Sequence, residues 1–533
     1  MPDAELPPFT KAPGGLAPDN PDNPVTPANP VNPVNPVNPV SPVSPVSPVN
    51  PINMVEAQQR MVKALDAMSP LLGGLAARFV AAGEDLALVG GPVRDAMLGR
   101  MQNDLDFATS AGPEVTERIL VGWADATWDM GRAFGTIGAR KGPWLVEITT
   151  YRSESYDPTS RNPVVAFGDS LVGDLGRRDF TVNAMAIPLT GPAGTPPTGR
   201  DLQDPFGGIG DLAHQLLRTP GRPEDSFSDD PLRMMRAARF AAQLGFTVDP
   251  GVVAAMTAMA ERISIISAER VRDELVKTVC APYPRLGLRL LVDTGLAGHV
   301  LPELPALALE RDEHHRHKDV YEHTLTVLEQ TMELEARLPG GGPDFVARFA
   351  ALMHDVGKPK TRRFVGDGTV TFHHHDVVGA KLTRKRMQAL RFSNDQIDQV
   401  ARLVELHLRF HGYGSGEWTD SAVRRYVRDA GSDLERLHIL TRADCTTRNA
   451  RKAVRLRRTY DELEERILRL SAEEELAAIR PDLDGTQIME ILGIGPGREV
   501  GAAYQFLLEL RLEHGPMSPD RAAAALLAWW PTR

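Results

Sequence analysis

The chain has 533 residues, of which 42% are hydrophobic and 24% are charged. This composition is typical of a globular protein, and it excludes collagen and a wholly disordered chain. The length suggests about three or four domains. Acidic residues outnumber basic ones by 70 to 60, which gives a net charge of −10 and excludes a globally basic nucleic-acid binder, although a local basic face is still allowed.

Cellular location is indicated by three features of the sequence. The two cysteines, Cys280 and Cys445, are too few for a disulfide framework, which favours a reducing compartment. No stretch of about 20 uncharged apolar residues is present, so we expect no membrane-spanning helix. The first residues lack a basic region followed by an apolar one, so we expect no signal peptide. Together these features predict a cytoplasmic protein without a membrane partner.

The N-terminal segment, residues 1–53, is a proline-rich repeat. From residue 29 to residue 49 the chain repeats Asn-Pro-Val and then Ser-Pro-Val. Proline fixes φ and lacks a backbone donor, so neither a helix nor an interior strand is expected, and a period of three matches polyproline II. We predict a disordered spacer; a ligand for a proline-binding domain is the alternative.

The next elements predict a small α/β head followed by a long helical body. A helical pattern of apolar residues covers residues 55–82, and residues 86–89 form a short apolar run typical of a buried strand. Further strands are expected at 134–139 and 145–151. Beyond about Asp211 the pattern is almost wholly helical, so the fold class is α+β.

The first strand is followed by a turn suited to binding an anion. Gly90 and Gly91 allow the backbone to approach a ligand closely, and Pro92 suits the first position of a helix. The turn therefore offers backbone amides and a helix N-terminus to a group such as a triphosphate.

Three carboxylates downstream of this turn predict a metal site. Asp104 and Asp106 are two residues apart, so on a strand they share one face. Their mutual repulsion is relieved by a cation, and Mg²⁺ prefers such oxygen ligands together with substrate phosphates. Glu147 lies in the apolar run 144–149, where a buried charge requires a partner or a metal.

This combination resembles the bacterial tRNA nucleotidyltransferase and poly(A) polymerase family, the class II branch of the polymerase-β-like nucleotidyltransferases. The resemblance covers roughly residues 80–530, and it implies a head with a mixed sheet. The further motifs that carry it are residues 174–184 for ribose and triphosphate binding, 204–208 for a hinge, 229–240 for base reading and 269–277 for the close of the neck.

The resemblance assigns nucleotide-binding roles to residues of the head and neck. Asp230 and Arg233 are the implied base-reading pair, whereas Asp229 replaces the family's usual glutamate. A carboxylate accepts from the exocyclic amine of cytosine or adenine and arginine donates to a ring acceptor, so this pair can select C and A without a template. Spaced by three, Asp230, Arg233, Arg236 and Arg239 should form a stripe on one helix side whose positive charges require an anion. The implied nucleotide-binding set is Gly91, Arg94, Arg178, Asp179, Asp230, Arg233, Arg236 and Arg239.

A second constellation lies in the helical body. Its histidines and aspartates resemble the ligands of the HD phosphohydrolase superfamily, in which the middle position is ambiguous here because His373 and His374 adjoin His375. Mixed imidazole and carboxylate ligands suit a transition metal such as Mn, Ni, Co or Fe, which would activate water against a phosphoester. The implied ligands are His323, His354, Asp355, His375, His407 and Asp444.

Two basic clusters, residues 384–386 and 448–458, are either solvated helix faces or contacts for tRNA phosphates. The predicted organisation is a proline-rich segment at 1–53, a nucleotidyltransferase head at 54–215, a neck at 216–300 that binds the base and RNA, an HD domain at 301–460 and a helical tRNA-binding tail at 461–533.

The predicted activity is addition of CCA to the 3′ end of tRNA from CTP and ATP, with Asp104 and Asp106 holding Mg²⁺, Glu147 assisting them, and an accessory hydrolytic activity at the HD site. A poly(A) polymerase shares every head motif and is the nearest alternative, although it is disfavoured by the acidic body. An HD nucleotidase or phosphodiesterase with an inactive head and a non-catalytic RNA-binding scaffold are alternatives of other classes. Intact Asp104, Asp106 and Arg233 argue against the first of these, and two intact metal sites argue against the second.

Overall fold

The computed structural model describes residues 52–129, 135–155, 164–167, 170–189, 201–309, 320–364, 366, 370–412, 418–445, 450–474 and 479–532. The proline-rich repeat lies outside these residues. A single helix long and apolar enough to cross a membrane is not found among the described residues; one pair of helices, Met54–Ala67 and Ser69–Ala81, passes the test together but is bent by 72°.

The helical pattern at 55–82 forms two helices instead of one. Helix α1 (Met54–Ala67) begins after Asn53, whose side chain accepts hydrogen bonds from two backbone amides, which is a favourable N-cap. Helix α2 (Ser69–Ala81) has Pro70 in its first turn. Because proline lacks an amide hydrogen it fits only at the start of a helix, and the chain therefore bends there.

A six-stranded mixed sheet forms the centre of the head. Its strand order is β3-β4-β5-β2-β1-β8, in which β2 and β5 are parallel and the other neighbours are antiparallel. The predicted strand at 86–89 is confirmed, and those at 134–139 and 145–151 correspond to β4 and β5, although Phe134 lies outside the described residues. The elements of the head after α2 are β1 Leu86–Val89, α3 Gly91–Leu98, β2 Asp104–Thr109, α4 Pro113–Leu120, β3 Ala126–Asp129, β4 Thr136–Lys141, β5 Trp144–Thr150, β6 Arg152–Ser155, β7 Val164–Phe167, α5 Leu171–Gly176 and β8 Ala186–Pro188.

The remainder of the described chain is almost wholly helical, as predicted. The exceptions are two short strand pairs. The elements are α6 Gly208–Ala213, β9 Leu216–Leu217, α7 Pro223–Asp229, α8 Leu232–Leu244, β10 Thr247–Val248, α9 Pro250–Met259, α10 Ala268–Val279, α11 Pro284–Asp293, α12 Leu296–Val300, α13 Val320–Leu334, α14 Phe345–Met353, α15 Lys358–Thr361, β11 Arg363–Phe364, β12 Val370–Thr371, α16 His375–Ala389, α17 Asn394–Leu406, α18 Asp420–Ala430, α19 Leu434–Asp444, α20 Ala450–Glu474, α21 Gly485–Leu492, α22 Arg498–His514 and α23 Pro519–Trp529.

One hydrophobic core runs from the head into the helices up to α20, and the last three helices have a small core of their own. The head, the neck and the histidine-rich region are thus joined by buried apolar contacts, which stabilise their arrangement. The final helices pack mainly on one another, around Ile488, Leu507 and Leu526.

Candidate functional site

The three predicted carboxylates of the head lie together on one face of the sheet. Asp104 and Asp106 open β2, and Glu147 on β5 is the direct cross-strand partner of Asp106. Cross-strand partners point to the same face, so the sequence prediction of a shared face is confirmed for the pair and extends to Glu147. The expectation that Glu147 is buried is wrong, because β5 alternates and the Glu147 side chain lies on its exposed side.

The surroundings of Asp106 and Glu147 raise the pKa of both carboxylates. Burial raises the pKa of Asp106, opposed by Arg178 and supported by the nearby charge of Asp104. The pKa of Glu147 is also raised, by partial desolvation of its carboxylate and by the charges of Asp106 and Asp104. Neighbouring carboxylates are hard to ionise together, and a divalent cation stabilises their ionised forms. The donor set therefore fits Mg²⁺.

The anion-binding turn adopts the conformation that its glycines allow. Gly90 has φ of +74°, a left-handed value that favours glycine, and a Cβ on it would lie 2.6 Å from Nη1 of Arg178. The turn thus brings the start of α3 beside Arg178. The Arg94 side chain is buried and donates to Asn183 and to Asp95, which fixes it behind the turn.

Asp174 is a functional-site residue that the sequence analysis did not single out. It is buried, and its carboxylate lies 2.9 Å from Arg177 and 3.2 Å from Arg178. Although burial opposes ionisation, the two guanidinium groups hold the pKa of Asp174 below its ordinary value. It therefore orients Arg178 toward the turn. Its place at the start of the motif at 174–184 was the available signal.

The base-reading stripe differs from the prediction at its first residue. Asp230 lies in the turn before α8 with an extended backbone, and its carboxylate accepts from the Leu232 amide and pairs with Arg270 at 3.0 Å. Arg233 is buried, and donates to Ser226 and to the carbonyl of Arg177. Only the arginines of the stripe therefore share the helix.

Protein carboxylates already pair with the last two arginines of the stripe, Arg236 and Arg239. Arg236 bonds Asp179 at 2.7 Å, and Arg239 lies 3.0 Å from Glu274 on α10. The Arg236 charge and the Asn183 amide overcome the effect of burial and strongly depress the pKa of Asp179. The inference that these arginines require a bound triphosphate is therefore wrong for Arg236 and Arg239. Glu274, in the motif at 269–277, was not foreseen in this role.

The six predicted ligands of the second constellation converge in the helical body. His323 lies inside α13, while His354, His407 and Asp444 stand at or beside the ends of α14, α17 and α19. Their ligand atoms form two groups, each within 4.8 Å: His323, His354 and Asp444 in one, and Asp355, His375 and His407 in the other. Among the three adjacent histidines only His375 is buried, since His373 and His374 are exposed.

The histidine tautomers are set by the backbone. Nδ1 of His354, His375 and His407 lies within 2.8 Å of a carbonyl oxygen three residues earlier, at Ala351, Phe372 and Val404. A carbonyl only accepts, so Nδ1 carries the hydrogen and donates it. The three Nε2 atoms are buried and make no hydrogen bond to any described residue. Buried Nε2 atoms within the two ligand groups fit metal ligation once each ring is neutral.

The charged groups of this centre shift one another's pKa values. Burial alone would lower the pKa of His354, but Asp355 and Asp444 raise it to about 10. Burial and the charge of His354 lower the pKa of His407 to about 3. Lys358 lies 2.9 Å from Asp355. A metal that binds these ligands would displace their protons, because metal binding releases protons from its ligands.

The two basic clusters differ in availability. Arg384 pairs with Asp398, and Arg386 lies 2.8 Å from Glu303, so acidic neighbours already occupy the cluster at 384–386. On α20, Arg451, Arg455 and Arg457 are exposed, and Arg448 lies outside the described residues. The α20 cluster is the better candidate for phosphate contacts.

Comparison with known proteins identifies the three regions of the chain. Residues 86–218 match the poly A polymerase head domain, residues 245–307 match a probable RNA and SrmB-binding site of polymerase A, and residues 320–449 match the HD domain.

Two relatives align with this chain over nearly their whole length. An A-adding tRNA nucleotidyltransferase of Deinococcus radiodurans is 34% identical over 83% of this chain and 95% of its own. A CC-adding tRNA nucleotidyltransferase of Thermus thermophilus is 31% identical over 84% of this chain and 94% of its own. The structure of the Bacillus stearothermophilus CCA-adding enzyme in complex with CTP shares the fold, with a TM-score of 0.57 and 24% identity over 86% of this chain and 97% of its own. The chain therefore belongs to the tRNA nucleotidyltransferase and poly(A) polymerase family, as a nucleotidyltransferase that carries an HD domain.

Proposed function

We propose that this protein adds CCA to the 3′ end of tRNA, with CTP and ATP as substrates. The observation that carries the proposal is the row of Asp104, Asp106 and Glu147 on the face of the sheet beside the anion-binding turn. Asp104 and Asp106 would hold Mg²⁺, and Glu147 would orient the site. The cation supplies positive charge to the triphosphate and lowers the pKa of the RNA 3′-hydroxyl.

The nucleotide would be held between the head and the neck. Gly91 offers backbone amides at the start of α3, and Arg94 and Arg178 face the same turn. Asp179 holds Arg236 in position. Arg236 would therefore meet the nucleotide with a guanidinium of fixed orientation.

The choice between C and A would be made by Asp230 and Arg233. Burial of Arg233 against Ser226 and the Arg177 carbonyl fixes the direction in which its remaining donor capacity points, and a fixed hydrogen-bonding edge discriminates bases without a template. Arg239 is held by Glu274 behind this pair.

The extent of addition is tested by product sequence. A tRNA transcript that lacks its CCA end is incubated with CTP alone, ATP alone, or both, and a second transcript that already ends in CC serves as control. We expect CCA on the first transcript and a single A on the second. The full-length relatives are named for A addition and CC addition; use of one nucleotide alone would replace our proposal with one of those activities, and a long A tract would identify a poly(A) polymerase.

At the second constellation we propose a transition-metal site with phosphohydrolase activity. The proposed ligands are His323, His354, Asp355, His375, His407 and Asp444. A metal there supplies a water nucleophile at neutral pH, while Lys358, beside Asp355, provides positive charge for a phosphate. The mixed donor set is the support for a transition metal over Mg²⁺.

The independence of the two sites is tested with one variant assayed twice. Asp355→Ala should lose hydrolysis of a cyclic phosphodiester in the presence of Mn²⁺, Ni²⁺ or Co²⁺ and should retain CCA addition. His373→Ala, an exposed neighbour outside the ligand groups, is the matched control. If Asp355→Ala retained hydrolysis, the proposed metal site of the HD domain would be rejected. Loss of both activities in a folded variant would show that the two sites are not independent.

The domain boundaries at 53, 215, 300 and 460 and a cytoplasmic location complete the proposal. Cys280 and Cys445 are not joined in a disulfide, which is compatible with a reducing compartment. The exposed α20 arginines are proposed to contact tRNA phosphates, together with the helices that follow.

A further inference from the structure

The face of the sheet that carries the catalytic carboxylates extends two strands beyond them. Asp106 pairs with Glu147, Glu147 pairs with Gly138 on β4, and Gly138 pairs with Trp128 on β3. Because direct partners on neighbouring strands point to one face, Trp128 lies on the same face as the carboxylates. Gly138 is buried and adds no side chain between Glu147 and the indole.

A second row on the same face runs parallel to the first. Asp104 pairs with Leu145, and Leu145 pairs with Arg140. Leu145 is 43% exposed and Trp128 is 38% exposed, and Arg140 is also exposed. With neighbouring strands ~4.8 Å apart, this surface extends ~14 Å from β2 to the edge strand β3. We call Leu145, Arg140 and Trp128 the edge surface.

The nucleotide-binding elements lie on the other side of β2. Gly91 and Arg94 follow β1, and Arg178 and Asp179 precede β8. Both strands lie on the side of β2 opposite to β5, with β1 next to β2 and β8 beyond it. The carboxylates on β2 thus separate a triphosphate side, which is rich in arginine and amides, from the edge surface. In a displacement at phosphorus the attacking and leaving oxygens are roughly in line, so the attacking molecule has to arrive from the side that the triphosphate does not occupy.

We propose that the edge surface binds the 3′ end of the RNA substrate, with a base stacked on Trp128 and a backbone phosphate beside Arg140. This inference rests on the proposed function and adds the position of the second substrate. An indole stacks on every base because each has a π-face, so this contact holds the RNA end without reading its sequence. An exposed cation beside an exposed aromatic ring is the composition of a single-strand binding surface. Leu145 offers apolar contact between the ring and Asp104.

The test compares three variants of the full-length protein: Trp128→Ala, Trp128→Phe and Arg140→Gln. Initial rates are measured with a tRNA transcript that lacks CCA, first at varied RNA and saturating CTP and then the reverse. Trp128→Ala should raise KM for RNA about 5- to 100-fold, the range that stacking of one base provides, and leave KM for CTP unchanged. Trp128→Phe should restore most of the affinity because it retains a ring.

Arg140→Gln tests the phosphate contact separately. Loss of one contact to a single strand should reduce the slope of log affinity against log salt by about 0.7. An unchanged slope would remove Arg140 from the surface, and a rise in KM for CTP in any of the three variants would move that residue to the triphosphate side and overturn the proposal. Melting curves verify that each variant is folded.

A binding measurement distinguishes failure of this inference from failure of the proposed function. Affinity for an acceptor-stem hairpin with a single-stranded 3′ nucleotide is compared, without CTP, with affinity for the same hairpin made blunt. Trp128→Ala should weaken binding of the first RNA only. Equal effects on both RNAs, or none, would overturn the stacking contact whether or not the protein adds nucleotides. Absence of nucleotide addition by the unaltered protein would reject the proposed function instead.

Discussion

The buried ion pair between Arg348 and Glu335 allows a quantitative test of what joins the neck to the HD region. The pair is bidentate, with both N–O distances 2.7 Å, and Arg348 also donates to the carbonyls of Val279 and Ala281 at the end of α10. Both side chains are less than a tenth exposed. Removing one partner of such a pair leaves a buried charge uncompensated and costs about 3–5 kcal/mol.

We therefore expect Glu335→Leu and Arg348→Met each to lower the free energy of unfolding by about 3–5 kcal/mol. The double variant should lose clearly less than the sum, because no lone charge remains. The measurement is urea unfolding followed by circular dichroism. Arg458→Met is the matched control: its pair with Glu462 is exposed, and such pairs contribute at most about 1 kcal/mol. Single losses as small as the control, or strict additivity in the double variant, would refute the reasoning.

Three further predictions concern the metal site of the head, the base-reading pair and the partly buried thiol of Cys280. Asp106→Ala should abolish nucleotide addition with an unchanged melting temperature, because it removes one of the paired carboxylates; undiminished incorporation would exclude the metal site. Arg233→Ala should reduce discrimination against GTP and UTP by about 1–3 kcal/mol, measured as incorporation of each nucleotide, and full rejection of both would contradict the base-reading assignment. Burial raises the pKa of Cys280 from 9.0 to about 11, so at pH 8 its alkylation should be about 100-fold slower than that of a free cysteine and should accelerate as pH rises toward that value; alkylation at the free-cysteine rate would show that the thiol is not buried.

Side chains whose spacing matches the local element were predictable from the sequence. The Asp104 and Asp106 pair needs only a strand to share a face, and β2 begins at Asp104. Asp230 was misplaced because the helical spacing was extended two residues before the first residue of α8, Leu232. Pro231, the N-cap of α8, disfavours helical backbone at the residue before it, so the signal for a turn was present in the sequence.

Partners drawn from distant segments were not predictable in this way. Arg236 donates to Asp179, and Arg239 forms an ion pair with Glu274. Each pair joins elements whose spacing along the chain carries no period. The sequence analysis therefore inferred that a bound anion balances the charges of Arg236 and Arg239. The same limit applies to the histidines: their order matched a known pattern, but the carbonyls that fix Nδ1 become visible only when each helix end is in place.

No sequence motif indicates the edge surface, which becomes visible only from the strand order and register of the sheet. Trp128 stands 22 residues after Asp106 along the chain, and no motif includes it. Its position depends on the strand order β3-β4-β5-β2, which crosses the sheet against the chain order, and on a register that aligns it with Glu147 through Gly138. A shift of one residue at β3 would turn the indole to the opposite face, where the core helices pack. Register, which the sequence leaves unspecified for a short exposed edge strand, therefore decides whether this tryptophan faces the catalytic carboxylates.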